Sequence, residues 1–171
     1  RLPYTSSKHF ASALTFNKAE CNVLLSSYGF TTPKAVFLHG FEEIDLENII
    51  TKVGLPCFVK PSRSGSSIGV SMVKIQAHLA EAIEQAKKID HKVLIEGQVK
   101  GLELACGVSD HSGTISALAV THIKPKNEYF DYESKYSGAS EEKTPADISP
   151  EIYEKVMRLS EEAYKLLELN G

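Results

Sequence analysis

Tryptophan is absent from this sequence, methionine occurs twice and cysteine three times. No apolar run comes near the roughly 20 residues that a membrane-spanning helix needs, so an α-helical span through a bilayer is excluded. Cys21, Cys57 and Cys106 are odd in number, widely spaced, and form no Cys-x-x-Cys. A disulfide framework or a zinc site is therefore not expected, and a reducing, cytoplasmic compartment fits. The six histidines are scattered, with no pair at helical ligand spacing. An excess of positive charge is also missing. With a net charge of -3 and a pI of about 6.1, no broad nucleic-acid footprint is expected, although a local basic pocket is allowed. Repeats and low-complexity segments are lacking as well. The chain opens Arg1-Leu2-Pro3-Tyr4 with neither an initiator Met nor a secretory signal pattern, and is expected to begin inside a longer protein.

What is present is enough for a core: 42% of the 171 residues are apolar, the size of one domain or two small ones. The most informative stretch runs from Cys57 to Val70. An apolar strand enters Lys60 and stops at Pro61. A loop of small polar residues follows, and Ile68 and Val70 are expected to open a second strand, making a hairpin with a long cationic tip. Gly65 and Gly69 admit backbone conformations closed to other residues. Loop N–H groups left unshielded by serine and glycine can gather round an anion, with Lys60 and Arg63 adding positive charge. A polyphosphate suits such a loop; so, taken alone, does no ligand at all, since many Ser/Gly loops are solvated connections. The spacing is neither that of a Walker A loop nor Gly-x-Gly-x-x-Gly.

Around this hairpin the expected elements run as follows. Residues 1–16 read as irregular and polar. Asn17, with Glu20 three residues on, reads as the capping box of a helix that Gly29 ends. Lys18 falls in that helix's first turn, where the helix dipole disfavours a cation; a nearby anion would account for it, as would simple solvation. Ala35–Leu38 reads as a strand. Leu46, Ile49, Ile50 and Val53 mark an amphipathic helix closed by Gly54. Ala77–Ile89 is the next helix, with Leu79, Ile83 and Ala86 inward. Val93–Ile95 forms a strand ending at Glu96, and Gly97 and Gly101 bracket a connector. Residues 102–108 alternate as a half-buried strand. A turn at Asp110–Gly113 leads into a central strand, Thr114–Ile123. A polar stretch from Lys124 to Ser149 holds the cluster Tyr129-Phe130-Asp131-Tyr132-Glu133-Ser134-Lys135-Tyr136; loops of this length are usually functional or disordered. A last helix runs from Glu151 to about Leu169 with Ile152, Val156, Leu159, Ala163, Leu166 and Leu167 inward. Two antiparallel hairpins amid helices predict an α+β fold, and nucleotides often bind between two such lobes.

Four blocks, in order and at matching spacing, carry a resemblance: Ser12-Ala13-Leu14-Thr15-Phe16-Asn17-Lys18; Phe58 to Gly69; Val93-Leu94-Ile95-Glu96 with Gly101-Leu102-Glu103; and Phe130 to Tyr136. Over nearly its whole length the chain resembles the middle part of a D-alanine:D-alanine ligase, an ATP-grasp enzyme. The resemblance implies a lead-in segment (residues 1–15), a central ATP-grasp lobe (16–96) and part of a second lobe (97–171) with a lid loop at 124–149. It implies ATP and D-alanine as small-molecule partners and magnesium bridging the phosphates, its acidic ligands expected beyond Gly171. The full-length protein is a candidate homodimer.

Carried over position by position, Lys18 and Lys60 are expected on the ATP phosphates and Glu96 on the adenine amino group. Val99 is expected on the ring edge through its backbone, and Glu103 on the ribose hydroxyls. Ser66 and Ser67 are the hydroxyls at the loop tip; Ser66 is expected to orient substrate together with Tyr136, and Lys135 to reach the γ-phosphate. Phe130 stands where relatives often have Tyr. Without the resemblance, Glu96 and Glu103 read as a strand-end and a solvent-face carboxylate. Further expectations are that this chain cannot catalyse by itself and that a bare face at the last helix favours association. Two alternatives remain open at this stage: an ATP-grasp carboxylate–amine ligase with another acceptor, and a non-catalytic nucleotide-binding module.

Overall fold

The computed structural model describes residues 4–41, 43–111, 113–125 and 140–171. It divides into two compact units, Phe16–Lys100 and a second formed by Gly101–Gly171 with the residues through Thr15. The chain is led by α1 (His9–Phe16), where an irregular segment was expected. Ser7 ties its approach to the chain's last residues, its Oγ donating to the Asn170 carbonyl at 3.1 Å.

The first unit contains α2 (Lys18–Ser27), β1 (Ala35–Leu38), α3 (Leu46–Val53), β2 (Cys57–Pro61), β3 (Ser71–Val73), a 3-10 turn at Gln76–His78, α4 (Leu79–Lys87) and β4 (Val93–Gly97). Its sheet is antiparallel throughout, in the order β1-β4-β2-β3. β2 and β3 are the expected hairpin, with Cys57 opposite Val73 and Val59 opposite Ser71. The return strand starts later than expected, because residues 65–69 are used in turns: the Ile68 N–H donates to the Gly65 carbonyl at 2.9 Å.

Alternation sorts this sheet. Cys57, Val59, Val73, Val93 and Ile95 point to one face, where Ile49 and Val53 of α3 and Leu79, Ile83 and Ala86 of α4 complete the core. α3 begins and ends on local signals. Asp45 Oδ1 accepts from the Asn48 N–H at 2.9 Å, and Gly54 turns the chain away at φ 77°. The opposite face of the sheet carries the alternate residues Phe58 and Lys60 of β2 and Leu94 and Glu96 of β4. Leu94 and Glu96 are buried too, so β4 is covered on both sides.

The second unit holds β5 (Glu103–His111), β6 (Thr114–Pro125), β7 (Ser140–Lys143) and α5 (Pro150–Leu166). β6 is central, as its composition predicts. The turn expected over Asp110–Gly113 is shorter, because β5 continues to His111, opposite Thr114. β7 lies inside the stretch expected to be loop: Glu142 pairs with Ile123 and Lys143 with His122. It is an edge strand with no apolar alternation to betray it. A bulge shifts the β5–β6 register after Gly107 and leaves Leu118 65% exposed. α5 satisfies the disturbed ladder: Glu161 Oε1 accepts from the Ala117 N–H at 2.9 Å and the Tyr153 hydroxyl accepts from the Val120 N–H at 3.1 Å. α5 starts at the expected Ser149 cap and Pro150. Of its expected inward stripe Leu167 is buried but Ile152 is 46% exposed, and Tyr164, not expected to face inward, is buried.

Candidate functional site

The start of α2 is built by two segments of chain. Asn17 is the N-cap residue, but its side chain caps nothing. Its Oδ1 accepts from the Ser62 hydroxyl at 2.6 Å, and Ser62 Oγ in turn accepts from the Ala19 N–H at 3.1 Å. Ser62 therefore caps α2 from 43 positions away in sequence. The Lys18 N–H also donates to the Ser62 carbonyl at 3.0 Å, and Asn17 forms an isolated bridge with Arg63. Glu20, expected to close a capping box, instead pairs with Lys92. Burial pushes the Glu20 carboxyl up, but its hydrogen bond to Lys92, its own backbone N–H and the charges of Lys92 and His39 outweigh this and hold it below its ordinary value.

The lysine that looked misplaced in the first turn has a specific setting. Lys18 Nζ donates to the Ser64 carbonyl at 2.5 Å and to the Ser62 carbonyl at 3.4 Å. Backbone oxygens of the Ser/Gly loop thus balance the positive helix end and aim the ammonium at that loop. Lys60 lies two residues before Ser62. Its Nζ reaches Glu96 Oε2 at 2.5 Å and sits 5.6 Å from the Phe58 ring centroid, in cation–π range. The register explains the contact. Phe58 faces Glu96 across the strands and Lys60 faces Leu94, so Lys60 reaches Glu96 diagonally on one face of the sheet. Glu96 is 7% exposed, and its other oxygen, Oε1, accepts from Asn22 Nδ2 at 2.6 Å. Lys18, Lys60 and Glu96 are thus joined through the loop and α2 into one constellation within the first unit. Sequence reasoning missed Asn22, although its place one helical turn beyond Lys18 was a usable signal.

Arg63 is spent differently from expectation. Asp90 Oδ2 accepts from its N–H at 2.8 Å and from Nε at 3.0 Å, and Asp90 Oδ1 accepts from Nη2 at 2.7 Å. The Arg63 guanidinium, joined by the Lys92 and Arg63 N–H groups, pulls the buried Asp90 carboxyl down to about 2 against the opposing effect of burial. This clamp pins the base of the loop; its cation is committed to a carboxylate.

Farther along the loop, Ser66 and Ser67 stand at φ 51° and 59°, left-handed conformations that cost a non-glycine residue energy. Their consecutive N–H groups have the geometry from which anion-binding concavities are made. Val99 follows β4 and is 71% exposed, in the connector expected to meet a base. Glu103 opens β5 in the second unit, exposed and opposite Ile123. Lys135, Tyr136 and Phe130 lie outside the described residues, as does most of the expected lid loop. Among the described residues no group of three or more His, Cys, Asp or Glu could hold a metal ion.

Chemically, the first unit presents one ammonium group held by the loop carbonyls, a second held by Glu96, a strained Ser/Gly turn in the same loop, and a nearly buried carboxylate at a strand end. Such a set suits a polyanion joined to a hydrogen-bond donor.

Residues 24–171 match the family described as D-ala D-ala ligase C-terminus. A D-alanine--D-alanine ligase of Flavobacterium johnsoniae is 45% identical over 170 residues, 99% of this chain and 53% of that protein. One of Porphyromonas gingivalis is 39% identical over 171 residues, 99% of this chain and 52% of that protein. Among solved structures, VanG D-Ala:D-Ser ligase from Enterococcus faecalis superposes with a TM-score of 0.85 at 30% identity, covering 99% of this chain and 50% of that one. A D-alanine--D-alanine ligase from Bacillus anthracis complexed with ATP gives a TM-score of 0.80 at 25% identity, covering 99% and 52%. The chain spans about half the length of the curated relatives it matches. With its antiparallel α+β sheets and this match over most of its length, the chain belongs to the D-Ala–D-Ala ligase C-terminal family and has the ATP-grasp fold.

Proposed function

We propose that this chain is the nucleotide-handling part of a cytoplasmic, ADP-forming D-alanine–D-alanine ligase that supplies the dipeptide for peptidoglycan precursors. The observation that carries the reading is that Lys18 is held by the Ser62–Ser64 loop, while Lys60, on the strand that leads into that loop, is held by Glu96, which α2 also contacts through Asn22. In this reading Lys18 and Lys60 bind the ATP phosphates. Glu96 accepts from the adenine amino group, Val99 meets the ring edge through its backbone, and Glu103 binds the ribose. Lobes 16–96 and 97–171, with the 124–149 lid, follow the family pattern. Ser66, Ser67, Lys135 and Tyr136 serve the reacting end, Lys135 at the γ-phosphate and Tyr136 with Ser66.

In the reaction, a carboxylate oxygen of one D-alanine attacks the γ-phosphorus and ADP leaves, giving an acyl phosphate. The amine of a second D-alanine attacks the acyl carbon, and phosphate leaves as the peptide bond forms. Two lysines suit this sequence because they neutralise phosphate charge that would otherwise repel the incoming carboxylate. A divalent cation is usual in such transfers, but the described residues offer no ligand cluster for one.

Turnover of the whole protein with ATP and D-alanine tests the reading. Lys60→Met is expected to lower D-alanyl-D-alanine formation by orders of magnitude with the fold intact at the assay temperature, even though stranding Glu96 lowers the melting temperature, and near-normal activity would remove Lys60 from the site. The likeness to a D-Ala:D-Ser ligase structure supports one second reading, a different acceptor. Competition among D-alanine, D-serine and D-lactate separates the two.

A further inference from the structure

We propose that Asn22 is a positioning residue that sets nucleobase choice by fixing the Glu96 carboxylate; this rests on the reading that Glu96 meets the adenine amino group. Glu96 is nearly buried, and each of its oxygens already has one donor: Lys60 Nζ at 2.5 Å on Oε2 and Asn22 Nδ2 at 2.6 Å on Oε1. A carboxylate can only accept, so the Asn22 amide must present its NH2 here. About four lone-pair sites exist on a carboxylate, which leaves room on each oxygen for one further donor from a ligand.

The two anchors differ in kind. Lys60 is a cation on a flexible four-carbon stem, and in the proposed reaction it is also drawn to phosphate. Asn22 is neutral and has a short side chain. It stands on α2, whose first turn is stapled to the loop by Ser62. When phosphate competes for Lys60, Asn22 is the contact that keeps Glu96 from rotating. A fixed carboxylate accepts from a 6-amino purine and repels the 6-oxo group of its analogue. One free to turn away discriminates little. Sites that reject an analogue lacking a hydrogen-bond donor do so because their own polar group is left unpaired in place.

Steady-state kinetics of the whole ligase with ATP and with inosine triphosphate test this. Asn22→Ala is expected to raise the KM for ATP about tenfold, the worth of one hydrogen bond to a charged group. The KM for inosine triphosphate and the kcat at saturating ATP should stay within about twofold. The ratio of kcat/KM between the nucleotides then falls about tenfold. Asn22→Asp, nearly isosteric, sets a second carboxylate against Glu96 and is expected to lower the ratio at least as much. A thermal melt accompanies each variant, and alanine is a strong helix former at this half-exposed position. Equal loss with both nucleotides, or an unchanged ratio in both variants, overturns the proposal. Glu96→Ala distinguishes the cause. If it collapses the ratio while the Asn22 variants do not, only the role of Asn22 is wrong. If it too leaves the ratio unchanged, the base contact of Glu96 fails and the proposal falls with it.

Discussion

Asp90 holds Arg63 at three points, taking the backbone N–H, Nε and Nη2 at 2.8, 3.0 and 2.7 Å. The partners flank α4 in sequence, and their union closes the segment between β2 and β4 at the foot of the Ser/Gly loop. This bidentate fork, with a backbone bond added, is the strong form of ion pair.

Its acid sensitivity follows from the sign of the shift. The Asp90 carboxyl lies at about 2 in the folded chain against 3.8 ordinarily. A depressed carboxyl contributes stability that is fully present above its unfolded value and is lost as pH falls through the folded one. The contribution is about 2 kcal/mol, fading between roughly pH 4 and pH 2. Urea unfolding at pH 6 and pH 3 measures it. Asp90→Asn should be less stable at pH 6 and lose less on acidification. Parallel pH curves for the two proteins would refute the clamp.

Ser62→Ala removes two bonds at once, the cap on the Ala19 N–H and the donor to Asn17 Oδ1. Losing a helix cap costs about 1 kcal/mol, and the partly buried Asn17 acceptor left unpaired costs about as much. A loss of about 2–3 kcal/mol is expected in a denaturant titration. Ser64→Ala is the milder comparison: the backbone carbonyl that Lys18 uses is untouched and only an exposed hydroxyl bond to the Ile68 carbonyl at 3.2 Å is lost, so stability should fall by about 1 kcal/mol or less.

The cap from Ser62 illustrates what the sequence could reveal and what it could not. α3 was legible because its start at Asp45 and its stop at Gly54 are written within a few residues of its ends. The β2–β3 hairpin and Lys60 were legible because alternation and a polar loop sit side by side in the chain. α2 was placed correctly for a reason that proved wrong: Asn17 and Glu20 look like a local capping box, yet both side chains are used elsewhere, on Ser62 and Lys92. The Asp90 clamp spans 27 positions and leaves no local trace. β7 was hidden because Glu141, Glu142 and Lys143 have no strand pattern; pairing with β6 alone makes them a strand. Lys18 was legible as an anomaly, and the cause lies in carbonyls 44 and 46 positions away.

Two glycines of the loop make opposite predictions. Gly69 has φ 74°, and a Cβ there would lie 2.8 Å from Pro61 Cγ and also meet Ile89 Cδ1. Gly69→Ala therefore combines an unfavourable backbone with a clash against a proline ring and should cost more than about 1 kcal/mol. A Cβ on Gly65 would meet nothing within 4 Å. Gly65→Ala should be neutral or stabilise by up to about 1 kcal/mol through the unfolded state. Equal melting temperatures for the two variants would contradict this geometry.

The Lys60–Glu96 pair should separate stability from function. Both side chains are largely withdrawn from water, 26% and 10% exposed. Desolvating two charges cancels much of their attraction, so such pairs are weak sources of stability. Removing one partner is different, since it strands a charge. Glu96→Leu alone should destabilise by about 2 kcal/mol or more, leaving Lys60 and the Asn22 amide without their acceptor. Lys60→Leu combined with Glu96→Leu should recover most of that loss, because an apolar pair suits a sheet face that already carries Phe58 and Leu94. Nucleotide binding should not recover. A double-mutant cycle by urea unfolding, run beside ATP titration of the whole protein, decides it. A pair kept for binding gives a double variant of near-native stability that no longer binds ATP, whereas a pair kept for the fold gives one that stays destabilised.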